Sequence, residues 1–252
     1  MDSIPLWALF PLTVLLVLLS MEAGYRVGRW RRASGVEKEA PVGAMVGATL
    51  ALLAFMLAFS FGMAASHYDD RKEVFLHEVN AIEAAYLRAE LLPQPQRTAA
   101  RGMLKEYVDV RLEGFVSVDI RHAIRRSEEL QAQLWSQAVE TVQGPHWYAA
   151  GLFIQSLNQV IDLHTARVTA KLRERIPGIL WLVLYGITIA GMASMGYQAG
   201  LAGTGRSIAA LALAFTFSAV MYLIADLDRP GTGMILVDKQ AMIDLRESME
   251  RP

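Results

Sequence analysis

Few side chains in this sequence stand at spacings from which chemistry can be built. His77 and Glu78 are adjacent, yet a zinc helix of the H-E-x-x-H kind needs a second His one turn on, and Ala81 and Ile82 occupy that region. A solvated or ion-paired surface is the expectation for that pair. Asn158 and Asp162 stand at i, i+4 and share a helix face, with His164 and Arg167 one turn on. Their oxygens and imidazole suit an ion site, but buried structural hydrogen bonding draws on the same residue types and is the expected role. Gly200 to Arg206 superficially suggests a phosphate loop; it lacks a preceding strand and the Lys-Ser/Thr pair, so it reads as an interhelical turn. Asp226, Asp228 and Arg229 follow an apolar block immediately, and Pro230 turns the chain. They read as a charged stop-and-anchor signal, with an ion-attracting vestibule or a clasp on a neighbouring domain as alternatives. No Ser-His-Asp set or paired carboxylates can be singled out by spacing. The absence of cysteine excludes disulfides, thiolate metal sites and cysteine nucleophiles. No catalytic residue, metal or cofactor is expected, and the chain does not read as an enzyme.

The elements that hold these residues follow from where charge is missing. Overall 19% of the 252 residues are charged, but Ile4–Ser20, Pro41–Ala65, Pro177–Thr204 and Ser207–Ile224 contain no Asp, Glu, Lys or Arg at all. A helix crosses a bilayer core with about 20 mainly apolar residues. Four spans are therefore expected, and a single soluble globule is excluded. The first must run from Ile4 to about Ala23, taking in Glu22; without a basic segment before it, it reads as a retained helix rather than a secretory signal. The second, Val42 to Ala65, carries Gly43 and Gly47 at a spacing that permits close helix packing, and Phe55 and Phe59 on one face with Phe61 on another. Pro177 suits the first turn of the third. Basic and acidic residues number 24 and 25, so no basic surface for nucleic acid is expected.

The divisions expected are 1–67 (spans one and two with a short basic loop), 68–176 (an extramembrane helical domain), 177–225 (spans three and four) and 226–252 (a tail). Within the middle domain, Phe75, Val79, Ile82 and Tyr86 recur at helical spacing until Pro93 and Pro95. A second helix is expected from about Gln96 to Leu112. A third is capped by Asp119 and ends near Gly144 and Pro145. A fourth, starting at Pro145, runs on toward the membrane with a break only at Pro177. The first and fourth read as extensions of spans two and three. In the tail, Met234–Val237 suggests an extended piece before a helix around Gln240–Glu250. The basic residues of the Gly24–Ala40 loop (Arg26, Arg29, Arg31, Arg32, Lys38) place that loop in the cytoplasm and the middle domain outside. Arg71, Lys72, Lys171, Arg173 and Arg175 give the contrary signal.

From Gly43 to Met249 the chain resembles the bestrophin-like family of bacterial membrane proteins. The likeness is carried by Phe59-Ser60-Phe61, by Glu78-Val79-Asn80-Ala81-Ile82, and by the run from Ala85 to Pro93 that includes Arg88. It continues in Leu157-Asn158, Ile161-Asp162-Leu163-His164, Ala166-Arg167 and Arg175-Ile176-Pro177, and ends with Asp226 to Pro230, Gly233 and Asp244-Leu245. The resemblance implies an all-α membrane protein with four transmembrane helices and a helical domain inserted between spans two and three. It implies a homo-oligomer in the cell (inner) membrane, pentameric in bestrophins proper, that conducts small ions past a neck on span two, where Phe55 and Phe59 are the candidates. Glu78, Asn80, Arg88, Asn158, Asp162, His164, Arg167, Asp226, Asp228 and Arg229 become structural or ion-interacting candidates. It also implies a cytosolic middle domain, against the loop-charge reading. The acidic run of the bestrophin calcium clasp is missing after Asp226. A membrane-anchored helical scaffold or sensor is the alternative, and would turn Asn80, Asp162 and Arg167 toward an accessible groove.

Overall fold

The computed structural model describes residues 5–34, 39–116, 120–172, 175–204, 208–231 and 233–251. Eight helices appear among them: α1 (Leu6–Ser34), α2 (Glu39–Ala89), α3 (Gln96–Val116), α4 (Ile120–Val142), α5 (Trp147–Leu172), α6 (Gly178–Ala202), α7 (Ile208–Asp228) and α8 (Gln240–Glu250). No strand occurs among the described residues. Four of the helices (α1, α2, α6 and α7) are long and apolar enough to cross a membrane. The chain divides into two compact units, Met1–Tyr68 with Arg175–Ile235, and Asp69–Glu174 with Leu236–Pro252.

In the first unit α1 packs on α6 and α7. Its core contains Leu9, Val17, Leu53, Leu184, Met192, Ala214, Met221 and Ile224. The expected loop from Gly24 is largely helical, because α1 runs on to Ser34. Glycines make this possible: a Cβ on Gly24 would stand 1.9 Å from the Ala193 carbonyl oxygen, and one on Gly196 would stand 2.0 Å from that of Met21. Gly28 and Gly200 meet the facing backbone as closely, so α1 and α6 touch main chain to main chain. Of the pair for which the sequence predicts close packing, a Cβ on Gly43 would stand 2.8 Å from Gln198 Nε2 on α6, while Gly47 has nothing within 4 Å. Pro177 is the N-cap of α6 rather than part of its first turn. Residues Gly200 to Ala202 are the last turn of α6, not a loop, and Gly203 caps it at φ 69°.

The second unit contains the later part of α2 with α3, α4, α5 and α8. Apolar residues at steps of three and four (Phe75, Val79, Ile82 and Tyr86 on α2, Leu130, Leu134 and Ala138 on α4) meet Leu104, Phe153, Leu157 and Met242 in one core. Helix α2 is continuous over 51 residues, about 75 Å, more than twice a hydrocarbon thickness of about 30 Å. No Asp, Glu, Lys or Arg stands on it from Ala40 to Tyr68, and Glu78 lies beyond that stretch. Arg175 to Pro177 are non-helical, so the interruption before α6 is longer than a kink at Pro177. Helix α3 is a turn longer than expected. Asp119, Lys38, Arg173, Gly205 and Arg206 lie outside the described residues, as does the side chain of Lys171. Helix α8 has the expected bounds, with Met242, Leu245 and Met249 buried.

Candidate functional site

The centre of the second unit is a buried ionic cluster around Glu78, which is ion-paired but in the core rather than on the solvated or ion-paired surface expected there. Helix geometry puts Glu78 on the inner side of α2 with Phe75 and Ile82, while His77 points outward and is 4.0 Å from Glu73. The Glu78 carboxylate accepts from Nη2 of Arg111 on α3 at 3.3 Å and from Nη1 of Arg167 on α5, both at Oε2, and Arg111 Nε forms an ion pair 2.9 Å from Oε1. The Arg167 guanidinium also lies over the Phe75 ring, 4.9 Å from its centroid. The Tyr107 hydroxyl sits 3.4 Å from Glu78 Oε1 and 3.2 Å from His164 Nδ1, and it accepts from Gln131 Nε2 at 3.2 Å. His164 Nε2 is buried with no hydrogen-bond partner.

Burial alone would push the Glu78 carboxyl up, but Arg111 and Arg167 outweigh it and hold it below the ordinary carboxylate range. Burial, reinforced by Arg111, pushes the His164 imidazole down to about 4. Burial and the Glu78 charge push the Tyr107 hydroxyl up. At neutral pH the cluster therefore holds one carboxylate, a neutral imidazole and a protonated phenol. The carboxylate lone pairs are committed to guanidinium donors, which leaves no poised general base and favours a rigid lock joining α2, α3 and α5. Among the described residues no group of three or more His, Asp or Glu could hold a metal ion.

Asn158, Asp162, His164 and Arg167 do not converge. Asn158 and Asp162 are exposed on α5, while His164 is buried on the far side. Positions two apart on a helix differ by about 200°, so Asp162 and His164 cannot share a face. Asp162 instead lines an open groove of about 350 Å³ with His77, Asn80, Ala84 and Gln159. Arg88 donates to the Leu152 carbonyl at 3.0 Å and ties α2 to α5. Tyr107, Arg111 and Gln131 escaped the sequence reading. Leu104, Tyr107, Val108 and Arg111 at steps of three and four, with a charge on an apolar stripe, are the signal that marks Tyr107 and Arg111.

In the first unit Asp226 and Asp228 are buried, not an open vestibule. The Asp226 carboxylate accepts the backbone N–H of Met234 at 3.0 Å and of Ile235 at 2.9 Å. Gly233, at φ 111°, is indispensable to this turn, since a Cβ there would fall 1.7 Å from Asp226 Oδ1. Asp228 Oδ1 accepts the N–H of Ile176 at 2.8 Å. With Arg229 it lines a cavity of about 180 Å³ beside Trp181. Both carboxylates therefore hold backbone around the end of α7. Phe55 and Phe59 stand on the charge-free part of α2, 66% and 51% exposed.

An all-helical chain with four apolar helices of spanning length and a second helical unit locked by a buried ion cluster is a membrane protein. The bestrophin-like domain model matches residues 12–242, and the chain belongs to that family. Its fold is similar to the crystal structure of a bacterial bestrophin homolog from Klebsiella pneumoniae carrying a point mutation. That similarity has a TM-score of 0.68 over 97% of both chains at 14% identity. Comparison with curated proteins gave no match.

Proposed function

We propose that this chain is the subunit of a homo-oligomeric ion channel of the cell (inner) membrane, crossing it four times, with a hydrophobic neck made by α2. The observation that carries the reading is the pair Phe55 and Phe59: two large aromatic side chains, one turn apart on a charge-free stretch, left uncovered by the chain's own helices. Family membership supports it, and by that likeness the assembly is a pentamer. A ring of such side chains narrows an aqueous path and gates it by dewetting. The groove at Asn80 and Asp162 favours the second reading, a membrane-anchored scaffold or sensor, but Arg167, which that reading also requires, is committed to Glu78.

Purified protein in liposomes should pass ionic current. Phe55→Ala or Phe59→Ala should raise it several-fold by easing wetting of the neck. Ion-tight liposomes, with both variants indistinguishable from the starting protein, would overturn the channel reading and leave the scaffold.

A further inference from the structure

We propose that the cavity between the start of α6 and the end of α7 binds a phosphate group, held by the guanidiniums of Arg175 and Arg229. The inference concerns the first unit alone and is independent of conduction and of the oligomeric state.

A hydrogen bond brings the two helix ends together. Asp228 Oδ1 accepts the N–H of Ile176 at 2.8 Å, which pins the segment before α6 to the last turn of α7. Beside that bond, Arg175, Gly178 and Trp181 on one side and Asp228 and Arg229 on the other line about 180 Å³. About 15 Å³ is enough for one water, so the space suits a group of several heavy atoms. Gly178 keeps it open, since a Cβ there would meet nothing within 4 Å.

The chemistry of the wall favours an anion. Among the described residues that line it, two guanidiniums stand against one carboxylate. That carboxylate is already engaged by the Ile176 amide and lies 4.0 Å from His67 Nδ1. Arg229 is only 8% exposed, so its charge is held largely out of water. A guanidinium carries five N–H donors, more than one partner consumes, and its planar fork fits two oxygens of a phosphate. Backbone adds to this. Pro177, the N-cap of α6, has no side-chain acceptor, and the first N–H groups of a helix have no partner within it. The Leu180 N–H turns back to the Pro177 carbonyl at 2.9 Å, while Gly178 stands in the cavity wall. The positive end of a 25-residue helix therefore reinforces the two arginines. A divalent cation would meet the same three positive groups and be repelled.

Pro177 opens one charge-free block and Ile224 closes another, so the cavity lies at the edge of the apolar surface, with an indole in its wall. A lipid headgroup and a dissolved phosphate offer the same oxyanion there.

Thermal unfolding of the full-length protein in neutral detergent tests the site. Inorganic phosphate is compared with sodium chloride of equal ionic strength, and phosphatidic acid in the micelle with phosphatidylcholine. At least one phosphate should raise the midpoint above its control. A rise with inorganic phosphate marks a dissolved ligand, and a rise with phosphatidic acid alone marks a lipid headgroup. Arg175→Gln should weaken the apparent affinity about tenfold or more, the loss of one charge-assisted bond. Gly178→Leu leaves every charge in place but fills the cavity, and should abolish the rise. Its midpoint without phosphate should stay near that of the starting protein, because nothing is packed where the new side chain begins. No rise with either phosphate, or an undiminished rise in both variants, overturns the site. So does stabilisation by magnesium chloride in place of phosphate, which would make Asp228 the ligand. Phosphate binding by a protein that leaves liposomes ion-tight keeps the site and removes the channel; current without phosphate binding does the reverse.

Discussion

Glu78 is held charged in a buried site by two guanidiniums, and removing its charge strands both. Glu78→Gln should therefore cost about 3–5 kcal/mol, far more than one neutral hydrogen bond. Chemical unfolding of the detergent-solubilised protein measures it, and a loss below about 1 kcal/mol would contradict the lock. Glu78 stabilises above the unfolded carboxylate range, and that contribution is lost as pH falls through its depressed folded value. His164 acts at higher pH. Its unfolded imidazole takes a proton below about 6.5, and the folded one only near 4. The unfolded state thus binds more protons between those values, so stability should drop by about 2–3 kcal/mol as pH falls from 6.5 to 4. His164→Asn should flatten that drop; an unchanged pH profile would assign it elsewhere.

At the scale of elements, the α1–α6 contact is the most exacting. Gly24, Gly28, Gly196 and Gly200 each bring backbone against backbone, and no flexible side chain is there to give way. Gly196→Leu should force the helices apart and cost about 3 kcal/mol or more. Gly186→Leu on the same helix, at a position where a Cβ would meet nothing within 4 Å, serves as the control. Thermal unfolding of the two variants side by side decides the point, and equal midpoints would show that α1 is free to slide. The turn after α7 depends on backbone in a different way: Asp226 supplies the acceptor and Gly233 the room.

Across the whole molecule, each unit is assembled from chain segments distant in sequence. The tail is shared rather than separate, since residues up to Ile235 belong to the first unit and Leu236 onward to the second. There α8 buries Met242, Leu245 and Met249, and Arg246 reaches Asp109 on α3 at 2.5 Å. The second unit is therefore complete only once α8 is in place. Leu245→Asp, which puts a charge into this core, should cost about 3 kcal/mol or more and raise amide exchange along α3. Exchange confined to α8 would show that the tail merely rests on the unit.

The sequence by itself determined the elements. Charge-free blocks long enough to cross a bilayer, and apolar steps of three and four between prolines, sufficed for the helical class and for the bounds of α8. Those patterns are local, and the solvent each face meets imposes them. Which polar residues share a site is not local. Glu78 and Arg167 are far apart in the chain and in direct contact in the fold, while Asp162 and His164, near neighbours in sequence, face opposite ways because a helix turns about 100° per residue. Only the tertiary structure decided that Asp226 and Asp228 turn inward to backbone amides, and that Gly24 rather than Gly47 meets a facing helix. A buried charge or a missing Cβ acquires its meaning from the atoms packed against it, and those come from elsewhere in the chain.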